Sequence, residues 1–316
     1  MNNDRLLIEA GRTAWAILPS GLHAILAATA PTGAQDLVAV TRPGPKTGRV
    51  AQISVVGSIS RRSSIWSEWF GGASVDGLIA ALRNVAADPD VKTVLLNIDS
   101  PGGTVDGLPE LAAEIRTLRE SKHVVALANS LAASAAYWIA SQADEIVATP
   151  EALIGSIGVF TLHVDWSAFN ERVGIKPTYI AAGKYKTEAN PDQPLDDEAR
   201  DYLQTLVEEA YSLFVADVAK GRGVSAATVR SDYGEGRVLT AKDAKAAGLI
   251  DRVAGYHETI ARLTGVKADG EHPERSAAES HPERSAAESK DDSPADTPVG
   301  NSLAAKRLRL ELLEKF

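Results

Sequence analysis

Apolar and polar positions alternate along the middle of this chain with two distinct periods. Val50 to Val56 is a short apolar run that reads as a strand. Ser74 can cap a helix that sets Leu78, Ile79, Leu82 and Val85 on one face. Val91 to Asp99 reads as a buried strand ending in Ser100-Pro101-Gly102-Gly103. Leu108, Leu111, Ala112, Ile115 and Leu118 mark the next helix. A strand over 123–128, a helix over 133–142 and a strand over 144–148 follow. Further strands are expected over 157–164 and 178–181, and further helices over 196–220 and 241–248. Strands alternating with helices at this pitch predict an α/β fold, a largely parallel sheet with crossover helices.

The ends differ. The apolar stretch from Leu6 to Ala28 is broken by Glu9, Arg12, Pro19 and His23, too early for a membrane span or a secretory signal. It reads as two short amphipathic helices hinged at Pro19-Ser20-Gly21. Proline and glycine punctuate 30–49 as a loop. Residues 1–49 therefore form an arm and linker, and 50–266 the globular domain. In 268–300, nine acidic residues stand against three basic ones and Val299 is the sole large apolar residue, a composition expected to be disordered. This linker (267–300) holds the sequence HPERSAAES twice, at 272–280 and 281–289. An amphipathic helix over 301–316 is expected to follow and to dock on a partner.

The 316 residues carry a net charge of −9, which argues against nucleic acid as the main partner. The absence of cysteine excludes a disulfide scaffold, a thiolate metal site and a cysteine nucleophile. Six scattered histidines make a poor metal cluster. No metal or cofactor is expected.

Three segments carry candidate chemistry, and an α/β fold can gather them at the carboxyl edge of its sheet. Ser-Pro-Gly-Gly after a buried strand is a tight turn, or half of an oxyanion hole made of backbone N–H groups. Ser134, in Ala133-Ser134-Ala135-Ala136, starts a helix of small residues directly after a strand. It is a packed helical serine, or a nucleophile with the Ala135 N–H as an oxyanion donor. A serine nucleophile needs a base. His123 and His163 lie in the core, and Lys184 and Lys186 lie in Gly183-Lys184-Tyr185-Lys186-Thr187. A lysine serves when desolvation leaves its amine neutral; otherwise it is a surface charge.

Together these motifs resemble the signal peptide peptidase A family of serine–lysine peptidases. They are Ser-Pro-Gly-Gly, Ala-Ser-Ala-Ala-Tyr, Gly155-Ser156-Ile157-Gly158-Val159, Gly-Lys-Tyr-Lys, and the pair Gly236–Ala241 and Ala247–Asp251. The resemblance covers about residues 50–263 and implies a core of the kind shared by Clp-type proteases and crotonases, with repeated β-β-α units. It implies Ser134 as nucleophile, Lys186 as general base and Ser156 as the group orienting the lysine. Gly102 or Gly103, together with Ala135, would supply the oxyanion N–H groups. Where the family often has two glycines after the nucleophile, this chain has Ala135 and Ala136. The Trp15–Pro19 arm and the charged tail look like phage head-maturation proteases of this family. That implies a homo-oligomer acting in a procapsid in the host cytoplasm, with capsid, portal or scaffold proteins as partners. Its substrates would be scaffold and capsid extensions, and its own Ser276-Ala277-Ala278 and Ser285-Ala286-Ala287. The alternatives are a cytoplasmic or peripheral peptidase degrading signal peptides, a Ser-His or crotonase-like acyl-CoA enzyme, and an inactive capsid or scaffold protein.

Overall fold

The computed structural model describes residues 13–27, 40–41, 50–62 and 72–265. The acidic repeat segment and the terminal helix expected over 301–316 lie outside the described residues.

Three parallel strands form the centre: β3 (Val50–Val56), β6 (Thr93–Ser100) and β8 (His123–Ala133). Val50 pairs with Thr93, and Thr93 with His123, so the three start level. Short strands extend this sheet: β2 (Val40–Thr41), β9 (Glu145–Ala148), β10 (Leu153–Gly155), β11 (Val238–Thr240) and β12 (Arg252–Val253). β9 pairs with the first half of β8 and β10 with its last residues, both parallel. A second sheet of four strands has the order β1-β7-β4-β5. Its members are β1 (Trp15–Ile17), β4 (Ser58–Ser60), β5 (Gly72–Ser74) and β7 (Gly102–Thr104).

The central strands read as nearly continuous apolar runs because both of their faces are covered. One face packs on α2 (Val75–Ala87), α3 (Leu108–Arg119), α4 (Ala135–Ala140) and α6 (Asp197–Arg222). On the other face, Val50, Leu95, Val125, Leu127 and Val147 meet Tyr256, Ile260 and Leu263 of α9 (Tyr256–Thr264). The expected cap at Ser74 forms, and the structure adds one at Asp196. Ser74 accepts the Gly77 N–H at the start of α2, and Asp196 accepts the Ala199 N–H at the start of α6. All five apolar positions expected on α3 are buried.

A half-buried polar knot holds α4 in place. Asp217 of α6 takes Arg116 Nη1 at 2.9 Å and Trp138 Nε1 at 2.9 Å, while the Trp138 ring stacks on Phe214 with centroids 4.5 Å apart.

Three expectations are corrected. In the described part of the arm, residues 13–27, Pro19 is not a hinge between two helices; residues 1–12 lie outside the described residues. Trp15–Ile17 is a buried strand, and Pro19 opens helix α1 (Pro19–Ala27), where its fixed φ and missing N–H do no harm. Residues 157–164 form no strand beyond a single bridge of Phe160 to Trp15. Residues 178–181 are exposed and form no strand, and among the described residues none lies beside them as a strand neighbour, so β-propensity there is not realised. The remaining described helices are α5 (Ser167–Arg172), α7 (Ala226–Asp232) and α8 (Ala241–Ala246). Among the described residues, no helix is long and apolar enough to cross a membrane.

Candidate active site

β8 delivers its last residue, Ala133, to Ser134, and α4 begins one residue later. At this junction Ser134 adopts φ 57° and ψ −119°, a conformation that costs a residue with a Cβ on the order of 1–3 kcal/mol. The surroundings enforce it. The Ser134 N–H donates to the Gly155 carbonyl at 2.7 Å, its carbonyl accepts the Trp138 N–H at 2.9 Å, and Ala132, Ala133, Ala135 and Ala136 are fully buried. The side chain is fully buried, with Oγ 3.5 Å from the Gly158 carbonyl. A serine held in strain between a strand and a helix is the geometry of a nucleophile elbow, reached here without the Gly-x-Ser-x-Gly sequence. Ala135 opens α4, and a first-turn N–H has no acceptor within its own helix.

The Ser-Pro-Gly-Gly segment lies against this junction. Ser100 pairs with Ala132 after a register shift that leaves Ser130 at φ 90°. Gly102 has φ 102°, and a Cβ there would stand 2.2 Å from the Ala16 carbonyl oxygen and 3.0 Å from that of Ala133. A Cβ on Gly103 would stand 1.8 Å from the Ile59 carbonyl oxygen. Both positions demand glycine for close approach. The Gly102 N–H donates to Ser100 Oγ at 3.1 Å, and Gly103 lies between β1 and β4 rather than in a turn.

Ser156 follows β10 with φ 53°, nearly buried, and its N–H donates to the Arg237 carbonyl at 2.7 Å. Because Gly155 accepts the Ser134 N–H, Ser156 stands next to the residue that fixes the serine backbone.

Ser134, Ser156, Gly102 and Ala135 are thus brought into one neighbourhood. The lysine is not. Lys186 lies exposed on the 183–188 turn and lines a cavity of about 480 Å³ with Thr13, Ala14, His163, Trp166 and Tyr179; Ser134 is not among its lining residues. Lys184 is engaged elsewhere: its Nζ lies 2.6 Å from the Tyr185 hydroxyl and 3.1 Å from Glu198 Oε1. The Tyr185 hydrogen bond first, then that of Glu198, holds this ammonium above the ordinary lysine range. His163 Nε2 lies 3.3 Å from the Gln193 carbonyl, and His123 Nδ1 lies 3.7 Å from Asp144 Oδ2 at the far end of β8.

Sequence reasoning missed how the closing motif supports this site. Tyr137, one turn beyond Ser134, is fully buried and donates its hydroxyl to the Leu249 carbonyl at 2.9 Å. Burial pushes its phenol well above the ordinary value, with Arg222 opposing. Asp251 receives Arg222 at 2.8 Å and the Ile146 N–H at 2.7 Å, closing α6 onto β9. The motif Gly248-Leu249-Ile250-Asp251 was the available signal.

Burial pushes the Asp251 carboxyl up, but the Arg222 hydrogen bond, the Ile146 N–H and the Arg222 charge outweigh it and leave its pKa lowered. A lowered carboxyl stabilises the fold above the ordinary Asp value and loses that effect as pH falls through its folded value. Wild type is therefore expected to lose melting temperature on acidification below about pH 4, and Asp251→Asn to lose less. At neutral pH, Asp251→Asn is expected to cost about 1 kcal/mol, discounted for the partial exposure of the carboxyl. Thermal melts of both proteins from pH 7 downward check this; parallel curves would contradict it.

Comparison with known proteins bears on the same segments. The family model described as Peptidase family S49 matches residues 116–268. Capsid assembly protease C of Escherichia phage lambda is 33% identical over 224 residues, covering 69% of this chain and 51% of that protein. Two proteins named "putative protease" also match. The one from Methanocaldococcus jannaschii is 36% identical over 185 residues, 58% of this chain and 59% of the relative. The one from Synechocystis is 30% identical over 224 residues, 70% of this chain and 76% of the relative. The chain spans about half the length of several relatives it matches, the lambda protein among them. With the family model spanning the segments that hold Ser134, Ser156 and the closing motif, and a relative 30% identical over 76% of its own length, the chain belongs to peptidase family S49.

Proposed function

We propose that this chain is a serine endopeptidase in which Ser134 attacks a peptide carbonyl and Lys186 acts as general base. The observation that carries this reading is the strained, buried Ser134 at the strand–helix junction, beside Gly102 and ahead of a first-turn N–H. The neutral lysine amine takes the serine proton as the C–O bond forms, and backbone N–H groups hold the oxyanion. The same lysine then protonates the leaving amine, and water releases the acyl group. Ala135 and a glycine of Gly102-Gly103 supply the N–H groups, and Ser156 orients the amine. The alternation of short strands and helices supports reading the core as the Clp and crotonase type.

An exposed Lys186 and a buried Ser134 must still meet. The segment around the lysine exposes Phe169, Val173, Ile175, Tyr179, Ile180 and Tyr185, with Ile180 97% exposed, and α6 adds Tyr202, Leu206 and Leu213. So much apolar surface on one arm fits burial against further copies of the chain. The active form is accordingly a homo-oligomer in which the lysine of one copy serves the serine of another.

The lambda relative is named a capsid assembly protease. By that likeness, the substrates are scaffold and capsid-protein extensions in a procapsid in the host cytoplasm. They include the chain's own Ser-Ala-Ala repeats, which lie outside the described residues. Alanine-rich peptides are expected to be cleaved by wild type and not by Ser134→Ala, measured as release of a quenched fluorophore. Equal cleavage by both would overturn the assignment.

A further inference from the structure

The second sheet holds a strand that the proposed chemistry does not use. β1 runs antiparallel to β7, with Trp15 opposite Thr104, Ala16 opposite Gly103 and Ile17 opposite Gly102. Two bonds extend this ladder: Val105 N–H to the Ala14 carbonyl at 3.1 Å, and Leu18 N–H to the Pro101 carbonyl at 2.9 Å. The opposite edge of β1 is held as well. The Trp15 N–H donates to the Phe160 carbonyl at 2.8 Å, and the Phe160 N–H to the Trp15 carbonyl at 3.0 Å.

β1 is therefore an extended peptide clamped on both edges. One wall is the Gly102–Thr104 strand and the other is the segment that leaves Ser156. Both walls touch the nucleophile's surroundings. Gly102 lies against the carbonyls of Ala16 and Ala133, and the Gly158 carbonyl, two residues before Phe160, faces Ser134 Oγ. An added strand with main-chain bonds on its edges is how extended peptides are recognised. Trp15, Ala16 and Ile17 are all buried, and so is Ser134. Just ahead of β1, at Thr13 and Ala14, the cavity that Lys186 lines opens.

We propose that β1 is the chain's own occupant of the peptide cleft, so that Ser134 is shielded until the Trp15–Ile17 strand leaves. The incoming group is an extended peptide with a small residue at the place of Ala16, where Gly102 and Gly103 bring the wall close. The proposal rests on reading Ser134 as the nucleophile. A strand tethered in the same chain competes at high effective concentration, so the cleft favours substrates presented in an assembly over dilute free peptides.

A reversible lock tests it. The chain has no cysteine, so Ala14→Cys with Val105→Cys places a single thiol pair across the ladder. Residues paired this way stand about 5.5 Å apart at Cα, within disulfide range. In a full-length Ser134→Ala background, a fluorescein-labelled peptide copying residues 12–20 is expected to bind the reduced protein at least about tenfold more tightly than the oxidised one. Equal binding with the disulfide formed would overturn the proposal, and so would thiols that fail to join under oxidant in the folded protein. With Ser134 retained, a fluorophosphonate probe is expected to label the reduced form faster than the oxidised form. Equal labelling of both forms also overturns the proposal and leaves the peptidase reading standing. No labelling in either form, with peptide binding still controlled by the lock, removes the peptidase reading and keeps the strand in its cleft.

Discussion

Lys186→Ala is expected to abolish peptide cleavage, lowering kcat by about 10⁴-fold or more, as loss of a nucleophile's base does in other serine hydrolases. Lys184→Ala and His163→Ala are expected to retain most activity. The environments separate these groups better than their positions do. Lys184 is bound by Tyr185 and Glu198, which favour its protonated form and disqualify it as a base. His163 meets a backbone carbonyl on the cavity wall. The three variants are compared by kcat on one fluorogenic peptide, with circular dichroism confirming the fold. Loss of cleavage in His163→Ala with retention in Lys186→Ala would replace the serine–lysine pair by a serine–histidine one.

Mixing two inactive variants is expected to restore activity. If one copy supplies Ser134 and another Lys186, then Ser134→Ala and Lys186→Ala are each inactive, yet sites pairing an intact serine with an intact lysine form in mixed assemblies. Random assortment gives about one quarter of the wild-type sites. The physical basis is the separation within a single chain: Ser134 is fully buried with its Oγ beside the Gly158 carbonyl, while Lys186 is exposed on an arm lined with apolar side chains. Activity is assayed after co-refolding the pair, with each variant alone as control. A mixture as silent as its components would mean that serine and lysine meet within one copy.

What the chain disclosed in advance was set by the length and surroundings of each element. β3, α2 and α3 were legible because their apolar residues follow the period of the element and a cap marks the start of α2. Ser134 was legible as the hinge between an apolar strand and a run of alanines, although its strained backbone was not. β1 and β7 were hidden. Three residues are too few to show a period, and Gly102-Gly103 reads as a turn unless a partner strand lies close enough to require glycine. The same limit acts in reverse at 178–181, where residues suited to a strand meet no neighbouring strand among the described residues. The support that Leu249 and Asp251 give to α4 and β9 joins residues more than a hundred positions apart, as in the Tyr137–Leu249 bond, and only the folded chain reveals it.

The central claim is that the Ser134 hydroxyl is a nucleophile that forms an acyl bond. Its most direct test is the mass of the peptide carrying residue 134 after the assembled protein reacts with an acylating probe. The account predicts one probe mass on that peptide, absent from Ser134→Ala and strongly reduced in Lys186→Ala. An unmodified peptide from assembled wild type, or equal labelling in Lys186→Ala, would contradict it.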